Sequence, residues 1–241
     1  MRPRVDRPAY RRNPLRMIAA RDTWKAAAYL VTYVPVGLGL FGIVVALMVV
    51  GWALSAIWLG LPIVVGSAVF LRGCATVERL RAWPLIGDVA TNYREPGDAG
   101  VFTQIKTRWT DPSTIRNLAY FLLYPFLVWF DAAAFAIFAA CLGMMTLPAW
   151  YWAIPAADGS GYGVFLGFPE PGPGGFGVWI GDLPSALGAT LAFLILAVAA
   201  SYLVVWAARV HLAVVRSLLG EYTDPLAEAK RVLAEPGPLS A

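Results

Sequence analysis

Between Arg108 and Trp152 the chain reads RWTDPSTIRNLAYFLLYPFLVWFDAAAFAIFAACLGMMTLPAWYW, apolar from about Asn117 to Leu147 and broken there only by Pro125 and Asp131. A run of this length exceeds the roughly 20 residues that a helix needs to cross a bilayer core. Both of its ends are punctuated. Asp111 suits the cap of a first turn, with Pro112 at the first helical position. At the other end Pro148 stops the run, and Trp150, Tyr151 and Trp152 supply the aromatic belt that a headgroup layer favours. This segment makes the chain a membrane protein.

The composition agrees, with 59% hydrophobic residues, 14% charged and a mean hydropathy of +0.64. Soluble domains carry about a quarter charged residues. The net charge of +4 does not point to nucleic acid, because the cations are partitioned. Eight Lys and Arg lie in residues 1–25, seven in 72–116 and four in 209–241, which accounts for all 19. None lies between Leu147 and Pro184. Basic residues collect on the cytoplasmic side, so both termini are expected inside, lining anionic lipid.

Five segments follow in order. Residues 1–25 form a basic cytoplasmic tail with a short amphipathic turn at 15–18. Residues 26–87 form a first transmembrane hairpin, uncharged from Ala26 to Leu71, with its turn near residues 50–55. Pro35 and Pro62 are expected as kinks, and Gly37, Gly39 and Gly42 as sites of close helix contact. The hairpin continues into ATVERLRAWPLIG, where Val77, Leu80 and Trp83 recur at helical spacing among Glu78, Arg79 and Arg81. That spacing predicts an amphipathic helix on the inner surface. Residues 88–112 are a polar linker, interfacial from Val101 to Trp109. Residues 113–220 form a second hairpin whose extracytoplasmic loop covers about 148–184 and whose last span covers 184–208. Residues 221–241 are a cytoplasmic tail with a short helix opened by Asp224 and Pro225. The expected fold is therefore all-α: a polytopic membrane protein of four transmembrane helices, two duplicated hairpins with cytoplasmic amphipathic helices. AAAYLVTYVP (26–35) and RNLAYFLLYP (116–125) mark the repeat, as do LGLP (59–62) and MTLP (145–148), and the copies share one orientation.

Two places invite a ligand or an interaction. Asp131 falls near the bilayer middle, where an ionisable group is costly unless paired or protonated and is a functional hypothesis by default. The outer loop is rich in Gly, Pro and rings, and its charges are acidic. With the preceding belt it offers Trp150, Tyr151, Trp152, Asp158, Tyr162, Glu170, Trp179 and Asp182 to a cationic or amphipathic molecule. Against these stand an interhelical hydrogen bond for Asp131 and a plain interfacial belt for the loop. His211 is expected at the headgroups beside Arg209, and EPGPGG (170–175) as a rigid turn. Cys74 and Cys141 lie too far apart along different spans to pair. No nucleophile–base set, metal-ligand spacing or nucleotide fingerprint occurs, so neither an enzyme nor a cofactor is expected.

The hairpin followed by ATVERLRAWPLIG, then RWTDPSTIRNLAYFLLYP, MTLPAWYW and VVRSLLG, from about Trp24 to Glu228, resembles a known family. It is called "Putative sensor", the four-span sensor domain of actinobacterial two-component histidine kinases. The resemblance implies a bacterial inner-membrane domain that detects an extracytoplasmic or membrane signal. In that family the helix after the fourth span feeds a kinase module. This chain ends at Ala241, about where the kinase would begin, and no acidic residue directly follows His211, so the phosphotransfer role does not carry over. The expected function is a stand-alone sensor-like domain acting through a separate membrane or cytoplasmic protein, or through its own oligomer. A structural accessory subunit of a larger membrane complex and a small transporter or lipid-handling protein stay open beside it.

Overall fold

The computed structural model describes residues 14–55, 60–91, 93–94, 97, 100–155, 161–168 and 176–221. These are mostly helical. The helices are α1 (Arg21–Ser55), α2 (Gly60–Ile86), α3 (Val101–Trp109), α4 (Pro112–Met144), the single turn α5 (Leu147–Trp150) and α6 (Leu183–Leu219). Strands β1 (Val164–Phe168) and β2 (Phe176–Ile180) lie between α5 and α6, so the outer segment adds an antiparallel hairpin to a fold expected to be all-α.

Three helices are long and apolar enough to cross a membrane: Arg21–Leu54, Pro112–Met144 and Leu183–Leu219. The expected fourth, α2, differs for a simple reason. It has only residues 60–71 before Arg72, roughly 18 Å of helix against a bilayer core of about 30 Å. Beyond Arg72 it carries Glu78, Arg79 and Arg81 without a break in the helix. Pro62 sits in its first turn, where no intrahelical N–H is missed, rather than at a kink. The turn before it falls after Ser55, at residues 56–59, outside the described residues.

The chain divides into two compact units, Met1–Val34 with Val128–Arg209, and Pro35–Leu127 with Val210–Ala241. In the first, Leu30, Tyr33, Phe138, Ala197 and Val204 are buried core residues. The turn Pro14–Met17 is tied to α1 by the Thr23 hydroxyl, which donates to Met17 O at 2.7 Å, and Met17 is buried rather than laid on headgroups. Trp24, in the first turn of α1, meets Phe138 edge-on at 5.8 Å. Phe138 lies 26 residues past Pro112, roughly 39 Å along α4. Helices entering from one face would bring Trp24 to the start of α4 instead. This contact therefore runs against the like-oriented repeat and against setting the N-terminal tail on the face where α4 begins. A count of cations senses the side of a membrane, not which helices pack.

The hairpin closes the far end of the same unit. Its register pairs Val164 with Ile180 and Phe165 with Trp179. Leu147, Ile180 and Ala186 are buried together, with Trp150, Tyr151, Val164, Leu166 and Phe193 packed on them. Gly163 is required there, since a Cβ would stand 2.6 Å from Ile180 O and from the Trp179 ring.

In the second unit α4 starts as its sequence suggests. Asp111 Oδ1 accepts the Ser113 N–H at 3.0 Å, with Pro112 at the first helical position. Of the three glycines expected at close contacts only Gly37 makes one, because a Cβ there would collide with the Tyr124 ring, whereas Gly39 and Gly42 face open space. Gly37→Val should therefore lower stability by about 1–3 kcal/mol, the usual range for overpacking. Gly39→Val should leave thermal unfolding in detergent unchanged.

Candidate functional site

The last turns of α2 present their faces in reverse. Leu80 and Trp83 are 67% and 62% exposed and Val77 is exposed too, whereas Glu78 is wholly buried and Arg79 nearly so. A water-facing amphipathic helix would do the opposite. Polar groups turned into the protein and apolar ones turned out is the pattern that lipid imposes.

What they turn toward is a polar core built from α2, α4 and α6. Both Glu78 oxygens lie 2.9 Å from Arg81 Nη1. Tyr124 donates to Oε1 at 2.9 Å, and the Tyr120 hydroxyl stands 3.4 Å from Oε2. Tyr120 and Tyr124 are four residues apart, so one face of α4 delivers both phenols to one carboxylate. Tyr120 also shares a hydrogen bond of 3.0 Å with His211 Nε2. His211 is wholly buried, not at the headgroups, which explains why α6 runs on to Leu219 instead of ending near Ala208. The polar residues past Arg209 find protein partners. The Tyr124 ring is stacked on Phe121 at 5.3 Å and held in place against Gly37.

A second layer pins the ends of the helices. Asp111 Oδ2 accepts from Arg72 Nη2 at 2.8 Å and from the Arg94 N–H at 3.1 Å. Arg72 also donates to Thr114 Oγ1 from Nε and Nη2, and its guanidinium lies 4.6 Å from the centre of the Tyr93 ring. The Tyr93 hydroxyl accepts from Arg79 Nη1 at 3.1 Å and Asn117 Nδ2 at 2.9 Å. Trp109 donates to Val64 O at 3.2 Å, which seats α3 on α2.

The end of α6 is held from both sides. The last carbonyls of a helix lack intrahelical donors. Here Arg79 donates to Leu219 O at 3.3 Å, and Arg116 donates to Ser217 O and to Gly220 O. Arg216 returns the contact by donating to Ile86 O at 3.5 Å. Movement of α2 or α4 therefore reaches the exit of α6.

The residues singled out from the sequence fall elsewhere. Asp131 is wholly buried in the first unit, 13 residues or roughly 20 Å along α4 from Met144. Trp150 and Tyr151 pack under the hairpin. The Trp150 and Trp152 indoles donate to Thr146 Oγ1 and Ala149 O. Tyr162 is exposed and bridges to Pro155, and Trp179 is half-exposed over Gly163. Asp182 caps α6, accepting the Ser185 N–H at 2.9 Å, and its hydrogen bonds from Ser185 hold its carboxyl below the usual range. Asp158 and Glu170, with the EPGPGG run and the tail helix at Asp224–Pro225, lie outside the described residues. Among the described residues no group of three His, Cys, Asp or Glu forms a metal centre, and Cys74 and Cys141 are buried and free.

The Glu78 network escaped the sequence reading because water was assumed around α2. The signal present was the pair Tyr120 and Tyr124 at helical spacing, on the stretch that caps with Asp111. No curated protein and no solved structure matches the chain. The family described as "Putative sensor" matches residues 29–219, which takes in the polar core of the second unit and the hairpin of the first. On that match, which covers most of its length, the chain belongs to the Putative sensor family.

Proposed function

We propose that the chain is a membrane sensor domain that binds an extracytoplasmic or membrane ligand and acts on a separate partner protein through the end of α6. The observation that carries this reading is the arginine clamp, in which Arg79 from α2 and Arg116 from α4 hold the carbonyls of Ser217, Leu219 and Gly220. A ligand transmits only what it binds differently in two packings of the helices, and these contacts tie such packings to the one helix that leads into the C-terminal tail. The aromatic hairpin, with Tyr162 and Trp179 exposed, offers the ligand surface. On this reading α2 is the fourth membrane-embedded helix, its charges turned inward, and the Arg-rich ends of α2, α4 and α6 face the cytoplasm of a bacterial cell membrane. The family's sensor character fits a role in binding and signalling rather than catalysis.

The test places a photo-crosslinking residue at Glu221, exposed and just beyond the clamp. In the native membrane it should capture a discrete protein. Arg79→Ala combined with Arg116→Ala should change that yield by on the order of tenfold at equal insertion, since hydrogen bonds to charged groups contribute about 1.5–3 kcal/mol. Equal capture by the clamped and unclamped chains, at fixed stoichiometry, would make the chain a structural subunit instead.

A further inference from the structure

We infer that His211 is a proton-binding site through which the sensor domain also responds to pH, its protonation being relayed by Tyr120 to Glu78 and released as movement at the end of α6. This rests on the sensor reading above and adds a stimulus to it. The chain has a single histidine. Its ring is wholly buried, yet imidazole is the side chain whose charge changes between about pH 5 and pH 8.

Tyr120 has one hydroxyl proton and two neighbours that can accept it, His211 Nε2 at 3.0 Å and Glu78 Oε2 at 3.4 Å. When Nε2 carries no proton, the hydroxyl donates to it and Glu78 Oε2 loses that donor. When a proton from solvent is taken up by the ring, both nitrogens are donors. Nε2–H then donates to Tyr120 Oη, and the hydroxyl proton turns to Glu78. No bond other than N–H is made, and the incoming proton brings the only change in charge.

That charge enters a crowded place. From α2 come Cys74, Glu78, Arg79 and Arg81; from α4, Arg116, Tyr120 and Tyr124; from the linker, Tyr93; and on α6 itself Arg209 and Arg216 flank the ring. The two buried carboxylates of the described part of this unit already hold arginines, Glu78 with Arg81 and Asp111 with Arg72. Asp88 and Glu221 are exposed. An imidazolium is thus a second cation at a carboxylate that has one, in a site without water-level screening. Relief comes from parting α6 from α2, where the Arg79 contact to Leu219 O is the tie.

The experiment uses the full chain in lipid nanodiscs, purified on a histidine-free tag. Isotope-labelled histidine then gives one imidazole signal, and spin labels at Leu80→Cys and Ala213→Cys, both exposed positions, report the separation of α2 and α6. The ring should titrate between about pH 5 and 8, and the label separation should lengthen on acidification with the same midpoint. In His211→Gln, which keeps a hydrogen-bonding group but takes no proton, the separation should be flat over that range. A ring that does not titrate there overturns the inference, and so does a separation that still follows pH in His211→Gln. Either result leaves the crosslinking test of the clamp untouched.

Discussion

Replacing Glu78 with alanine is expected to cost about 3–5 kcal/mol of stability, the range for removing one partner of a buried ion pair. The carboxylate is wholly buried, and its removal strands Arg81, which is 14% exposed, together with two buried phenols. Titration with a denaturing detergent in mixed micelles measures the loss. Glu78→Gln should cost less, because it keeps the shape and an acceptor for Tyr124 while leaving the guanidinium unneutralised. The double variant Glu78→Ala with Arg81→Ala should be milder than the two single losses added, since each single change orphans the other charge. Additive losses would mean that the pair is not coupled and that the polar core is not the organising contact of its unit.

Asp111→Ala should be nearly as damaging, about 3–5 kcal/mol. One residue that is 1% exposed does three jobs: it caps α4 at Ser113, pairs with Arg72 and holds the Arg94 N–H. Losing the cap alone costs about 0.5–2 kcal/mol. The remainder comes from the guanidinium left against Thr114. Asp111→Asn keeps an oxygen for the cap and should lose mainly the ion pair. Limited proteolysis separates the jobs, because freeing Arg94 should speed cleavage in the linker between α2 and α3 in the alanine variant. An uncut linker would show that Arg94 is held by something other than Asp111.

Much of the architecture was legible along the chain because it depends on local rules. The Asp111–Pro112 start of α4, the long apolar helices and the aromatic exit at Trp150–Trp152 are each written within a few residues. The hairpin was not legible, since VFLGF and FGVWI are short apolar runs among glycines, and only the shared burial of Ile180 with Leu147 and Ala186 selects their pairing. The site was less legible still. Asp131 stood out because an acid amid apolar residues is conspicuous. Glu78 did not, because an acid amid arginines looks like an ordinary wet face.

By itself the sequence determined that the chain lives in a membrane, where its longest helices begin and end, and which family it belongs to. The rules behind these are one-dimensional: apolar length against bilayer thickness, caps, and the order of short motifs. Only the tertiary structure decided which way α2 faces, that His211 and Glu78 share Tyr120, and that arginines from two helices hold the end of α6. Those depend on what surrounds each side chain. In a membrane the surroundings reverse the rule, so that charge points inward and only packing reveals its partners.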